Sequence, residues 1–97
     1  MEKPSYLYIM ANAPYGTLYI GSTTDLARRG WQHREGVIDG FTKQHGLKRL
    51  VLYEIHAGIM AAGLREKQIK LWKRAWKINL IQEINPDWRD LYDEIVG

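Results

Sequence analysis

Two phenols, a guanidinium, an imidazole and one isolated carboxylate stand in order along this chain: Tyr8, Tyr19, Arg29, His33 and Glu66. Together such groups could cut a phosphodiester. That hydrolysis needs an activated water, stabilisation of the charged phosphoryl group and support for the leaving 3′-oxygen. A guanidinium suits phosphoryl oxygens better than an ammonium, because its rigid fork can hold two of them at once. A lone carboxylate suits a hard divalent cation, Mg2+ or Mn2+, that keeps water in its other positions. A phenol is a costly base. With a pKa near 10, only about one in a thousand is ionised at pH 7, equivalent to about 4 kcal/mol.

Taken singly, each residue has an ordinary explanation. Tyrosine favours strands for packing reasons alone. Arg29 has Asp25 one turn before it as a partner, and His33 is a lone helical histidine. Glu66 has Lys70 four residues on, an i,i+4 pair worth only a few tenths of a kcal/mol. His33, His45 and His56 lack zinc-ligand spacing. Trp72 and Trp76 read as core rather than a stacking platform. Only the order and spacing of the five set them apart.

The elements that must position them follow from periodicity. Residues 5–11 alternate, with Tyr6, Tyr8 and Met10 opposite Leu7, Ile9 and Ala11. Asn12-Ala13-Pro14-Tyr15-Gly16 is turn chemistry, and Thr17 to Ser22 alternates again. This predicts a hairpin with Leu7, Ile9, Leu18 and Ile20 facing the core and both tyrosines on the opposite face. Thr23, Thr24 or Asp25 caps a helix that ends near Gly36. On it, Arg29 and His33 share one face. Residues 36–48 read as a long glycine-punctuated loop with room for a short helical turn, and Arg49 to His56 as a third strand with Leu50 and Leu52 alternating against Val51, Tyr53 and Ile55. A helical region is expected from about Ala61 to Glu83, with Ala62, Ile69, Trp72, Trp76 and Leu80 as its apolar stripe and Glu66 at the stripe's edge. Pro86 stops it, and a short amphipathic helix carrying Trp88, Leu91, Tyr92 and Ile95 closes the chain. The expected class is α+β: a small three-stranded antiparallel sheet flanked by helices, in one domain over residues 1–97.

Composition sets outer limits. The 97 residues suffice for one modest core, and the absence of cysteine excludes disulfides and thiolate metal sites. No apolar run is long enough for a membrane span and no signal-peptide pattern opens the chain, so a cytoplasmic location is expected. A net charge of +3 is a mild bias toward polyanions. Its distribution says more: Arg65 to Lys77 holds six Lys/Arg against Glu66 alone, while Asp87 to Glu94 is acidic.

The combination resembles the GIY-YIG nuclease family, from Tyr6 to about Asn85. Tyr19-Ile20-Gly21 matches the second motif in full, whereas Tyr6-Leu7-Tyr8 stands where the first reads Gly-Ile-Tyr. Arg29 lies eight residues beyond Gly21, where the family places its catalytic arginine, and His33 lies one turn further. Glu66 opens Glu66-Lys67-Gln68-Ile69-Lys70 in the helix where the family keeps its metal-binding glutamate. Gly40-Phe41-Thr42-Lys43 and Asn85-Pro86-Asp87-Trp88 look like the small stand-alone bacterial members.

The resemblance implies catalytic roles for Tyr8, Tyr19, Arg29, His33 and Glu66. Glu66 would hold one Mg2+ or Mn2+ and Arg29 would clamp the phosphoryl oxygens. Tyr8 would be the base with Tyr19 holding water or phosphate, or the reverse. The asparagine that closes such sites has two candidates, Asn79 by spacing and Asn85 by its Asn-Pro context. Lys43, Lys67, Lys70, Lys73, Arg74 and Lys77 are the expected nucleic-acid contacts, and DNA is favoured by the resemblance alone. No separate recognition module is expected within these 97 residues. The expectation is therefore a structure-directed endonuclease of repair or recombination, acting as monomer or weak dimer, with an unknown protein partner as a source of specificity. The alternatives are a catalytically weak nucleic-acid-binding module on the same scaffold, and a protein-interaction domain.

Overall fold

A computed structural model describes residues 3–38 and 40–97. The chain runs β1 (Ser5–Ala11), β2 (Leu18–Thr23), α1 (Leu26–Glu35), α2 (Phe41–Gln44), β3 (Arg49–His56), α3 (Ile59–Leu71), α4 (Arg74–Ile84) and α5 (Tyr92–Val96). The three strands form one antiparallel sheet in the order β2-β1-β3, as the alternation predicts.

The central strand is buried on both faces, so the hairpin does not divide into a core side and an open side. Leu7, Ile9 and Ala11 join Ile20, Val51, Leu52, Ile69, Ile81 and Trp88 beneath α3 and α4. Tyr8 and Met10 pack instead with Leu26, Leu47, Leu50 and Leu91, beneath α1 and the C-terminal segment. Burying each such side chain contributes about 1.5–3 kcal/mol, so two covered faces let a short chain hold a central strand firmly.

Strict alternation fails in β3. The register of β1 on β3 shifts between Ile9 and Met10: Ile9 pairs with Leu52 but Met10 with Leu50. Val51 is the extra residue, and it joins Leu52 on the α3 side while Leu50 serves the other. A bulge re-aims side chains in this way.

The expected long helix is two helices. It begins at Ile59 and breaks at Trp72 and Lys73, whose ψ values of 152° and 149° are extended. The break also ends the proposed stripe: Ala62 and Ile69 are buried and Trp72 and Leu80 pack on the core, but Trp76 is 53 % exposed. Downstream, Trp88 is buried in the core ahead of α5, which is only five residues long. None of the described helices is long and apolar enough to cross a membrane.

Candidate active site

The site gathers at the edge strand β2, fed from both faces of the sheet. Tyr8 pairs with Gly21, and Met10 with Tyr19, so the two phenols are diagonal neighbours on one face. Their ring centroids lie 6.2 Å apart. Gly21 makes this possible. A Cβ there would come within 2.6 Å of the Tyr8 hydroxyl oxygen.

Helix α1 brings in the imidazole and the guanidinium. Asp25 caps it, its carboxylate accepting the Arg28 backbone N–H at 3.1 Å rather than pairing with Arg29. Gly36, with φ of 66°, turns the chain left-handed at the other end, and Val37 N–H returns to the Gln32 carbonyl at 3.0 Å. Within this frame His33 is only 3 % exposed, and its Nε2 lies 3.1 Å from the Tyr8 hydroxyl. Its ring sits 5.5 Å from that of Tyr8 and 5.7 Å from that of Tyr19.

Burial and charge then set the protonation states. Burial pushes the Tyr8 phenol well above its ordinary range, and the neighbouring Tyr19 adds to this. The Arg29 guanidinium beside it works the other way, and Glu66 again raises it. Burial likewise depresses His33 to about 4, helped by the Arg29 charge. At neutral pH the pair is therefore a neutral phenol and a neutral imidazole. Nδ1 of His33 is buried without a partner, the one such side-chain nitrogen or oxygen among the described residues.

From the opposite face, α3 packs chiefly on β2 and β1 and presents Glu66 to the same edge. Its Oε1 accepts the Ser22 hydroxyl at 2.6 Å and its Oε2 accepts the Lys70 ammonium at 2.5 Å. Burial alone would raise this carboxyl's pKa. The bonds from Lys70 and Ser22, with the Lys70 charge, outweigh that and hold it below the usual range. The i,i+4 partnership read from local sequence is thus present, but it coexists with a tertiary bond to Ser22, which sequence spacing did not single out. The neighbouring Arg65 anchors the helix. Its guanidinium forks onto Glu54 with two bonds of 3.0 Å and lies 5.1 Å from the Trp72 ring centre, while His56 sits 3.1 Å from the same carboxylate.

The other sequence-predicted residues fall elsewhere. Asn85 is buried at the end of α4, donating to the Val51 and Arg89 carbonyls at 3.0 and 2.9 Å and accepting Arg89 N–H at 3.1 Å. Those bonds tie the C-terminal turn to β3. Asn79 is exposed on α4, beside Trp72 and Trp76. Arg74 donates to the Tyr15 and Gly16 carbonyls at 2.7 and 2.6 Å, clasping the hairpin turn. Lys67 and Lys73 are exposed, as is Lys43 on α2, while the half-buried Lys77 ammonium lies 3.5 Å from the Lys70 carbonyl.

Residues 4–79 match the GIY-YIG catalytic domain. The chain belongs to the GIY-YIG family. That makes it a member of a nuclease family, whose substrate class is nucleic acid and whose members generally use divalent metals. A "UPF0213 protein" of Bacillus pumilus (strain SAFR-032) is 30% identical over 84 residues, which are 87% of this chain and 86% of that one. No solved structure matches the chain.

The donors of this GIY-YIG domain suit a hard cation. No three His, Cys, Asp or Glu side chains cluster as a ready-made cage among the described residues. Glu66, an ionised oxygen donor whose side chain is 22 % exposed, is the carboxylate at the site, and one of its oxygens already carries a cation in the form of the Lys70 ammonium.

Proposed function

We propose that this chain is a divalent-cation-dependent endonuclease that hydrolyses DNA with little sequence specificity, at nicks, flaps, branches or single strands. The observation that carries the reading is the convergence on one hydroxyl: Tyr8 is within bonding reach of His33 and within the electrostatic reach of Tyr19, Arg29 and Glu66. Four elements contribute to that meeting point, and a merely structural tyrosine pair has no need of it.

Arg29 binds the non-bridging oxygens of the scissile phosphate. Tyr19, the more accessible phenol, orients the water. The proton leaves the water for the Tyr8 oxygen as the proton of Tyr8 passes to His33 Nε2 across their 3.1 Å bond. This relay avoids a free phenolate in a site that disfavours it. An imidazole with a pKa of about 4 is unprotonated at neutral pH and free to accept, but its low basicity is a cost the site must offset. A bound phosphate offsets the Arg29 charge that helps depress it, so His33 gains basicity when substrate arrives. Glu66 would hold Mg2+ or Mn2+, which supplies Lewis-acid stabilisation of charge on the phosphate and leaving oxygen.

Exposed Lys67 and Lys73, with Lys43, supply phosphate contacts that position the strand without reading bases. One such site cuts one strand, so the chain acts as a nicking monomer or weak dimer, with specificity from substrate shape or a protein partner. A role in cytoplasmic DNA repair or recombination suits that substrate preference. A second reading, a nucleic-acid-binding module with little turnover, draws on the hold of Lys70 on Glu66.

The test is cleavage of end-labelled single-stranded, nicked, flapped and branched DNA with Mg2+, Mn2+ or chelator. The reading expects product on at least one substrate and none with chelator. Salt-sensitive binding with no product on any substrate would favour the binding module.

A further inference from the structure

Glu66 divides its oxygens between two unlike donors. The Ser22 hydroxyl, 44 residues earlier on β2, holds Oε1, and the Lys70 ammonium, one turn along α3, holds Oε2. Their freedom to move differs. Ser22 is fixed in a strand that pairs with β1, whereas Lys70 is tethered by a flexible four-carbon stem and its side chain is 49 % exposed.

We infer that Lys70 is the resident cation of Glu66, occupying the carboxylate oxygen that a divalent cation takes and so setting the cation concentration at which the site fills. The inference rests on the reading of Glu66 as the cation's ligand. A hydroxyl at Oε1 is compatible with a cation on the same carboxylate, since each carboxylate oxygen has two lone pairs and the hydroxyl is neutral. The ammonium at 2.5 Å from Oε2 is not, because it fills the space and repels a second positive charge. Filling the site therefore requires Lys70 to swing into solvent, which its exposure allows. Ser22 stays and keeps the carboxylate aimed at the edge strand. It is the positioning residue of the pair, and Lys70 is the competitor.

The exchange is not prohibitive. A partly exposed i,i+4 ion pair contributes only a modest free energy, equivalent to roughly a two- to fivefold change in an equilibrium constant. Binding of Mn2+ to the purified full chain, followed by the paramagnetic resonance signal of free Mn2+, reads this directly without any turnover. Wild type would be compared with Lys70→Met, Lys70→Gln, Lys70→Arg and Glu66→Ala, with circular dichroism confirming that each is folded. Lys70→Met and Lys70→Gln are expected to bind about two- to fivefold more tightly than wild type. Lys70→Arg, which keeps the charge and can fork onto the carboxylate, is expected to bind no more tightly than wild type. Glu66-dependent binding that is unchanged or weaker in both neutral variants overturns the competitor role and leaves the Glu66 reading standing. Binding that is indifferent to Glu66→Ala in every protein removes the Glu66 reading and this inference with it.

Discussion

Gly21→Ala asks whether the Tyr8 hydroxyl must sit where it does. The added Cβ would stand 2.6 Å from the Tyr8 oxygen, 2.7 Å from its Cζ and 3.0 Å from the Tyr19 Cε2. Ordinary contact begins at 3.4 Å, so the hydroxyl has to retreat by roughly 0.8 Å. Tyr8 is 1 % exposed and packed among Met10, Leu26, Leu47 and Leu50, so its ring has little room to yield. A displacement of that size disturbs the 3.1 Å bond to His33. Overpacking of this kind costs about 1–3 kcal/mol. Alanine returns about 0.4–1 kcal/mol by restricting the unfolded chain, leaving a net loss of up to about 2.6 kcal/mol. The effect on chemistry is larger, because a misplacement on the order of 1 Å can cost about 10²-fold in rate. Urea unfolding followed by circular dichroism reads the first quantity, and single-turnover cleavage reads the second. A variant that is as stable as wild type and cuts within about twofold of its rate would refute the geometric argument.

Other expectations concern stability and pH. Asn85→Ala removes a buried amide that serves Val51 and Arg89, and should lower stability by about 2–3 kcal/mol in urea unfolding. Because its bonds are structural, the surviving folded fraction should cut at close to the wild-type rate per molecule. His33 is held near 4 against an ordinary 6.5, so between those values the unfolded chain binds the extra proton. Stability should therefore fall as pH drops from about 6.5 toward 4, by up to about 3 kcal/mol from this residue. Unfolding midpoints across that window check it, and His33→Phe should flatten that part of the profile. For the cleavage rate, the relay predicts a plateau above about pH 6, where His33 is already neutral. A rate still climbing through pH 9 would point instead to a phenolate base.

How much of this is legible in the sequence depends on the range of the forces involved. The hairpin, the third strand and the shared face of Arg29 and His33 are consequences of short periodicities, and all are present. So is the Glu66–Lys70 pair, which lies within one helical turn. What escaped is tertiary. The Ser22 bond joins residues 44 apart. The bulge that sends Val51 and Leu52 to one side reflects how β3 must pack on a central strand covered on both faces. The break at Trp72 and Lys73 has no proline or glycine to announce it, and at the break Arg65 stacks on Trp72 while Arg74 reaches back to the hairpin turn. The two carbonyls that Arg74 reaches in the hairpin turn are likewise invisible to sequence spacing. The upward shift of Tyr8 was equally hidden. Residue types do not reveal burial, which here outweighs the lowering effect of Arg29.

The most direct test of the central claim compares wild type with Glu66→Ala on the DNA substrate that wild type cuts best, with Mg2+ or Mn2+, under conditions where both bind it equally. Cation-dependent cutting by wild type and a loss of about 10²-fold or more in the variant are expected. Equal cutting by both proteins, or cutting that persists in chelator, would contradict the claim.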